Sequence, residues 1–149
     1  IRALVADADG IWIGTAGGGL YRFEGNQLQL FNSKNVGLPS DNITALAVGS
    51  DGALWIGTDR GLAQLADGTV TGVEALGEEA ITALGVTEGG DVWAAPASGG
   101  VFYGSGDRWT ELGTGDGLPS AKITAIVTRD EQVWLGGQDG GISGFAPVK

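Results

Sequence analysis

Histidine, cysteine and methionine are all missing from these 149 residues. Without histidine or cysteine, no Ser-His-Asp or Cys-His catalytic device can be assembled from the chain. A zinc or iron site built on imidazole or thiolate is excluded for the same reason, and so is a disulfide framework. Methionine is absent even at position 1, so the expectation is a chain that has been processed, truncated or cut from something longer. Basic residues are scarce: 8 Lys plus Arg stand against 18 Asp plus Glu, a formal net charge of −10. That balance argues against a nucleic-acid partner, whose phosphates need a basic stripe, and against charge-driven binding to an anionic membrane. No apolar run approaches the roughly 20 residues of a membrane span, and no signal peptide is visible. A sustained helical period is lacking too. The best candidate, Val73 to Leu84, is broken by Gly77.

What the chain does have is a repeat. Ile1-Arg2-Ala3-Leu4 recurs as Ile43-Thr44-Ala45-Leu46, Ile81-Thr82-Ala83-Leu84 and Ile123-Thr124-Ala125-Ile126. A tryptophan follows each start by 11 or 12 residues: Trp12, Trp55, Trp93 and Trp134. A glycine and an aliphatic residue follow each tryptophan: Gly19-Leu20, Gly61-Leu62, Gly100-Val101 and Gly141-Ile142. The starts lie 42, 38 and 42 residues apart. A period near 40 with one tryptophan per unit is the mark of a repeat architecture.

Glycine, 29 residues in all, falls between short runs rich in Val, Ile, Leu, Thr and Trp, which reads as strands joined by tight turns. In the second unit the predicted strands are Ile43 to Val48, Ala53 to Thr58, Leu62 to Leu65 and Thr69 to Glu74. Four antiparallel strands per repeat of this length predict an all-β fold, a β-propeller of four-stranded blades. The blade boundaries are 1–42, 43–80, 81–122 and 123–149, within one propeller region, and the last blade ends after its third strand. An arc of a larger propeller is therefore expected, with two alternatives: two chains closing an eight-bladed ring, or four blades closing on themselves. The four tryptophans are predicted to occupy equivalent buried positions between blades. Trp109, in a predicted outer strand, is a candidate for a partner or blade-edge contact.

The stretches Gly37-Leu38-Pro39-Ser40-Asp41-Asn42-Ile43-Thr44-Ala45-Leu46 and Asp51-Gly52-Ala53-Leu54-Trp55-Ile56-Gly57-Thr58 resemble the two-component-regulator propeller repeat. Gly115-Asp116-Gly117-Leu118-Pro119-Ser120 through Trp134-Leu135-Gly136 and Asp9-Gly10-Ile11-Trp12-Ile13-Gly14-Thr15 resemble it as well, and the third unit departs from it at Trp93-Ala94-Ala95-Pro96. That family is similar to the extracytoplasmic sensor regions of bacterial hybrid histidine kinases. The resemblance implies a periplasmic or extracellular ligand-sensing role in signal transduction; the missing histidine and cysteine argue against catalysis, and no cofactor is expected.

Other motifs have plainer readings. Asp7-Ala8-Asp9-Gly10 opens like a calcium loop but runs into Ile11-Trp12-Ile13, so a hairpin turn is expected. Gly17-Gly18-Gly19 lacks the lysine and helix of a phosphate loop. Asn42-Ile43-Thr44 is a glycosylation sequon whose Ile43 begins a buried strand. Variation concentrates in loops that strand parity puts on one face. There Lys34, Asn35, Asp59, Arg60, Ser98, Asp116, Gln138 and Asp139 are the candidate ligand-binding residues, with no catalytic or metal-binding residue among them. The predicted function is a non-catalytic binding or sensing module for a glycan, peptide or protein ligand. The alternative is an assembly module whose exposed blade flanks or edge strand dock onto a partner chain or a second copy.

Overall fold

The computed structural model describes residues 1–49, 51–105, 108–113, 115 and 122–145. Each repeat folds into one antiparallel meander. The first blade contains β1 (Ala3–Ala6), β2 (Ile11–Gly14), β3 (Leu20–Glu24) and β4 (Gln27–Phe31), and the second contains β5 (Ile43–Val48), β6 (Leu54–Thr58), β7 (Gly61–Ala66) and β8 (Thr69–Gly72). The third is β9 (Ile81–Val86), β10 (Val92–Pro96), β11 (Val101–Ser105) and β12 (Arg108–Leu112). In the fourth, β13 (Ile123–Arg129), β14 (Gln132–Gly137) and β15 (Ile142–Phe145) form a three-stranded sheet. The fold is thus all-β and propeller-like, with consecutive inner strands β1, β5, β9 and β13 as neighbours.

Turn chemistry sets the meander. Gly25-Asn26 and Asp67-Gly68 both carry two left-handed residues. That is the requirement of the type I′ hairpin turn joining the third and fourth strands. The fourth strand of the second blade is shorter than its sequence suggests. β8 stops at Gly72, and Glu74–Leu76 forms a single 3-10 turn that tucks Leu76 into the core between the second and third blades. Burying that leucine between two sheets outweighs extending an edge strand by two residues.

The core is three separate seams, one per blade junction. Trp12, Leu20 and Phe31 of the first blade pack on Ile43, Leu54, Ile56 and Leu65 of the second. Trp55 and Leu62 pack on Ile81, Leu84 and Val92 of the third, and Trp93, Ala95 and Val101 on Ile123, Val133 and Leu135 of the fourth. Each blade thus has a tryptophan face that meets the aliphatic face of the next. Threonines stitch the inner strands together: the Thr44 hydroxyl donates to Ile81 O, and the Thr82 hydroxyl donates to Ile123 O at 2.9 Å.

One expectation about the tryptophans is corrected. Trp12, Trp55 and Trp93 are buried, but Trp134 is 48% exposed. Its ring lies on the outward face of the fourth blade, which none of the described sheets covers. Trp109 is a blade-edge contact, edge-on to Trp55 with ring centroids 6.1 Å apart.

Candidate functional site

The connections between second and third strands, and those between one blade and the next, lie together at one end of the sheets. Backbone bonds lock the two sets into a platform. Asp59 N donates to Asn42 O at 3.2 Å, Ala97 N to Ala80 O at 2.7 Å, and Gln138 N to Lys122 O at 2.9 Å. Within the turns, the Thr15 hydroxyl donates to Gly19 O and accepts from Gly18 N, while the Thr58 hydroxyl donates to Gly61 O and accepts from Arg60 N. These bonds satisfy the turn backbone and leave the intervening side chains free to vary.

Asp59 and Arg60 are both exposed at the tip of the β6–β7 turn. The Asp59 carboxylate accepts from Asn42 Nδ2 at 3.0 Å. The Ser40 hydroxyl first, then the Asn42 amide, hold its carboxyl below the usual carboxylate range, with the nearby Arg60 charge acting in the same direction. The Ser40 hydroxyl also accepts from Asn42 N at 3.1 Å. Asn42 Oδ1 is buried without a hydrogen-bond partner. Beside this group, Pro39, Arg60, Leu62, Val73, Glu74 and Glu78 line a cavity of about 370 Å3. A second cavity, about 460 Å3, opens on the other side of Gly72–Glu74 and is walled by Trp55, Gln64, Thr71, Glu74 and Trp109. The rim of the second blade, together with Trp109 of the third, thus offers one guanidinium, two carboxylates and two indoles around adjoining hollows.

The remaining candidates are dispersed. Lys34 and Asn35 sit in the loop leading into the second blade; Lys34 is exposed, and Asn35 is occupied within the loop, donating to Leu30 O and accepting from Asn32 N. Ser98 donates its hydroxyl to Glu79 at 2.6 Å. Gln138 and Asp139 are exposed in the β14–β15 turn, and Asp116 lies outside the described residues. The bonds seen at Asp59 and Ser98 go to Ser40, Asn42 and Glu79, none of which is among the candidate ligand-binding residues read from the sequence. Asn42 had a signal, its sequon, but the amide serves to hold Asp59. Ser40 stands in the Gly-Leu-Pro-Ser motif of the repeat, which marks the loop and not this bond, and Glu79 carries no signal beyond lying in a loop that enters a blade.

At the opposite end of the first blade, Asp7 shows what its motif does. Its carboxylate accepts from Asp9 N and Gly10 N, from Trp12 Nε1, and from two nitrogens of Arg22 at 2.6 and 3.0 Å. The Arg22 guanidinium lies 4.5 Å from the centre of the Trp12 ring. Arg22 holds the Asp7 carboxyl far below its ordinary range, against a smaller opposing effect of burial. All of these contacts fix the β1–β2 hairpin, and they make it a structural cluster. Among the described residues no group of three or more acidic side chains is placed to hold a metal ion, and no helix is long and apolar enough to cross a membrane.

Residues 37–60 match the two component regulator propeller family, so the chain carries that repeat. No curated protein sequence matches the chain. Solved structures do. The computationally designed Ika4 protein matches at 23% identity and TM-score 0.77, over 98% of this chain and 90% of that one. The extracellular domain of the hybrid two component system BT3049 from B. thetaiotaomicron matches at 21% identity and TM-score 0.77; this chain spans 98% of its own length there and 21% of that chain. The designed Ika8 protein matches at 23% identity and TM-score 0.75, with 98% and 45% covered. At these identities the likeness is one of fold.

Proposed function

We propose that the chain is a non-catalytic binding module that recognises a glycan, peptide or protein ligand through the loop face and outer rim of its second blade. The observation that carries this reading is the contrast between a repeating strand framework and the polar group Ser40, Asn42, Asp59 and Arg60, held beside an open cavity. Asp59 is pinned by two donors, so it presents a fixed acceptor, and Arg60 supplies a donor fork that can meet a carboxylate or paired hydroxyls. The indoles of Trp55 and Trp109 give the adjoining hollow an apolar wall. Pockets of this kind combine such a wall with a few placed polar groups. The fold alone does not decide between binding and catalysis, and the reading without catalysis rests on the sequence, which has neither histidine nor cysteine. The family match supports a sensory role on the periplasmic or extracellular side of a bacterial membrane.

The test is a screen of glycan and peptide arrays with the 149-residue chain and with a variant carrying Asp59→Ala and Arg60→Ala. Both positions are exposed in a turn, so the variant should fold as the parent does. A ligand bound by the parent and lost at least about tenfold by the variant, a change of about 1.4 kcal/mol, supports the reading. Binding that survives both substitutions removes the site from the second blade.

A further inference from the structure

In each of the first three blades the tryptophan stands in a row of residues that face one another across the strands. The row is Trp12, Arg22 and Gln29 in the first blade, Trp55, Gln64 and Thr71 in the second, and Trp93, Tyr103 and Thr110 in the third. Residues paired across adjacent strands share a face of the sheet, so the middle residue lies beside the indole. In the first blade it covers the ring: the Arg22 guanidinium lies 4.5 Å from the Trp12 centroid and donates twice to Asp7. In the third it covers the ring again, with Tyr103 stacked on Trp93 at a centroid distance of 4.7 Å. In the second the middle residue is Gln64, and beside it and Trp55 lies the cavity of about 460 Å3.

The polar side chains around that hollow are unpaired. Among the described residues, those of Gln64, Thr71 and Glu74 make no hydrogen bond and no ion pair. Arg60 lines the adjoining hollow with Glu74, yet the two form no ion pair. Trp109 enters from the third blade, half-buried, with its plane at 74° to that of Trp55. Two indoles at that angle make a corner and not a flat platform. Glu74 stands exposed at the rim of the corner. The hollow thus repeats what Arg22 meets on the first blade, an indole and a carboxylate, without the cation between them.

We propose that the hollow between the second and third blades receives an arginine side chain of a peptide or protein partner. A cation is drawn to the face of an indole, most strongly where water is excluded. The guanidinium is planar, so it can stack on one wall of the corner while its fork of N–H groups meets the Glu74 carboxylate. Its remaining donors find acceptors in the Gln64 amide oxygen and the Thr71 hydroxyl. An ammonium is compact and more strongly hydrated, and it has no plane to lay on the ring. A sugar ring needs a flat face to lie on and brings no charge for Glu74. The net charge of −10 favours the approach of a basic partner. The inference rests on the reading of the second-blade rim as a ligand site and names the group that this part of the rim takes.

Titration of the isotope-labelled chain with acetyl-arginine amide tests the proposal, because the indole Nε1–H signals in an NMR spectrum report on each tryptophan separately. The array screen turns on Asp59 and Arg60, neither of which lines this hollow, so the failure of one test is told apart from the failure of the other. The probe should move the Trp55 and Trp109 signals and leave those of Trp12, Trp93 and Trp134 in place, with a Kd in the millimolar range expected of a single side chain. Acetyl-citrulline amide, which keeps the shape without the charge, should bind at least about threefold more weakly, and so should the arginine probe to Glu74→Gln. Glu74 is exposed, so that variant should fold as the parent does. Trp55 and Trp109 signals that stay in place overturn the proposal, as does equal binding of the citrulline probe or unchanged binding to Glu74→Gln. Acetyl-lysine amide binding as tightly as the arginine probe overturns the assignment of a guanidinium. A Trp134 signal that moves as far as the other two overturns the site, since it would mean stacking on any exposed indole.

Discussion

Trp55 and Trp134 share one place in the repeat and differ in what stands opposite. Trp55 packs on Ile81, Leu84 and Val92 and lies T-shaped to Trp109. Emptying such a site leaves a cavity that close-packed neighbours fill only in part, so Trp55→Ala should cost about 3–5 kcal/mol. Trp134→Ala, on the open face, should cost about 1 kcal/mol or less in a lone chain. Urea unfolding of the two variants at low protein concentration checks the ordering; equal losses would contradict it. A second residue-scale outcome concerns acid. Asp7 has its carboxyl held well below the ordinary value by Arg22, which means protons favour the unfolded chain. The stability it supplies is complete above about pH 4 and is lost as pH falls further. Asp7→Asn should therefore be less stable than the parent by about 2 kcal/mol at pH 7, the scale of a charged hydrogen bond. The gap should shrink between about pH 4 and pH 2. A gap that stays constant across that range would mean that the carboxylate charge is not what Arg22 holds.

Strands and blades were legible in the sequence because their cause is local and repeated. Each Ile-x-Ala start, each tryptophan and each turn glycine recurs within one residue of the same offset, so the four units align on one another. The exceptions have non-local causes. Leu76 leaves the strand pattern because it finds a buried place between two sheets, which no spacing within its own unit announces. Trp134 is exposed because none of the described sheets packs on its face, and a repeat pattern describes each unit without saying which faces are covered. The loop face was legible as a location, since strand parity sets it. Its chemistry was not: the partners of Asp59 come from a loop 17 residues earlier, through Asn42, in the preceding connection. The inter-blade threonine bond gives this scale its prediction. Thr44→Val deletes a hydroxyl that donates to the next inner strand and leaves the Ile81 carbonyl short of one partner, for a loss of about 1 kcal/mol. Thr124→Val, whose hydroxyl reaches only its own sheet, should change the stability of a lone chain by much less. Thermal melts of both variants decide it, and a larger loss at Thr124 would reverse the assignment of the free end.

Four blades in a row make a quasi-linear stack in which each blade is stabilised by itself and by its neighbours. The second and third blades have a neighbour on both sides; the first and fourth have one. In a lone chain the inner strands should therefore differ in how often they open, with β5 and β9 slowest to exchange their amide protons and β1 and β13 faster. Net charge works against the compact stack as well: the chain carries −10, and like charges repel over a range that salt shortens. Raising salt should thus slow exchange somewhat in all four blades and leave the order of the strands unchanged. Hydrogen exchange read strand by strand across a salt series measures this, and β1 or β13 exchanging as slowly as β5 and β9 would contradict the neighbour rule.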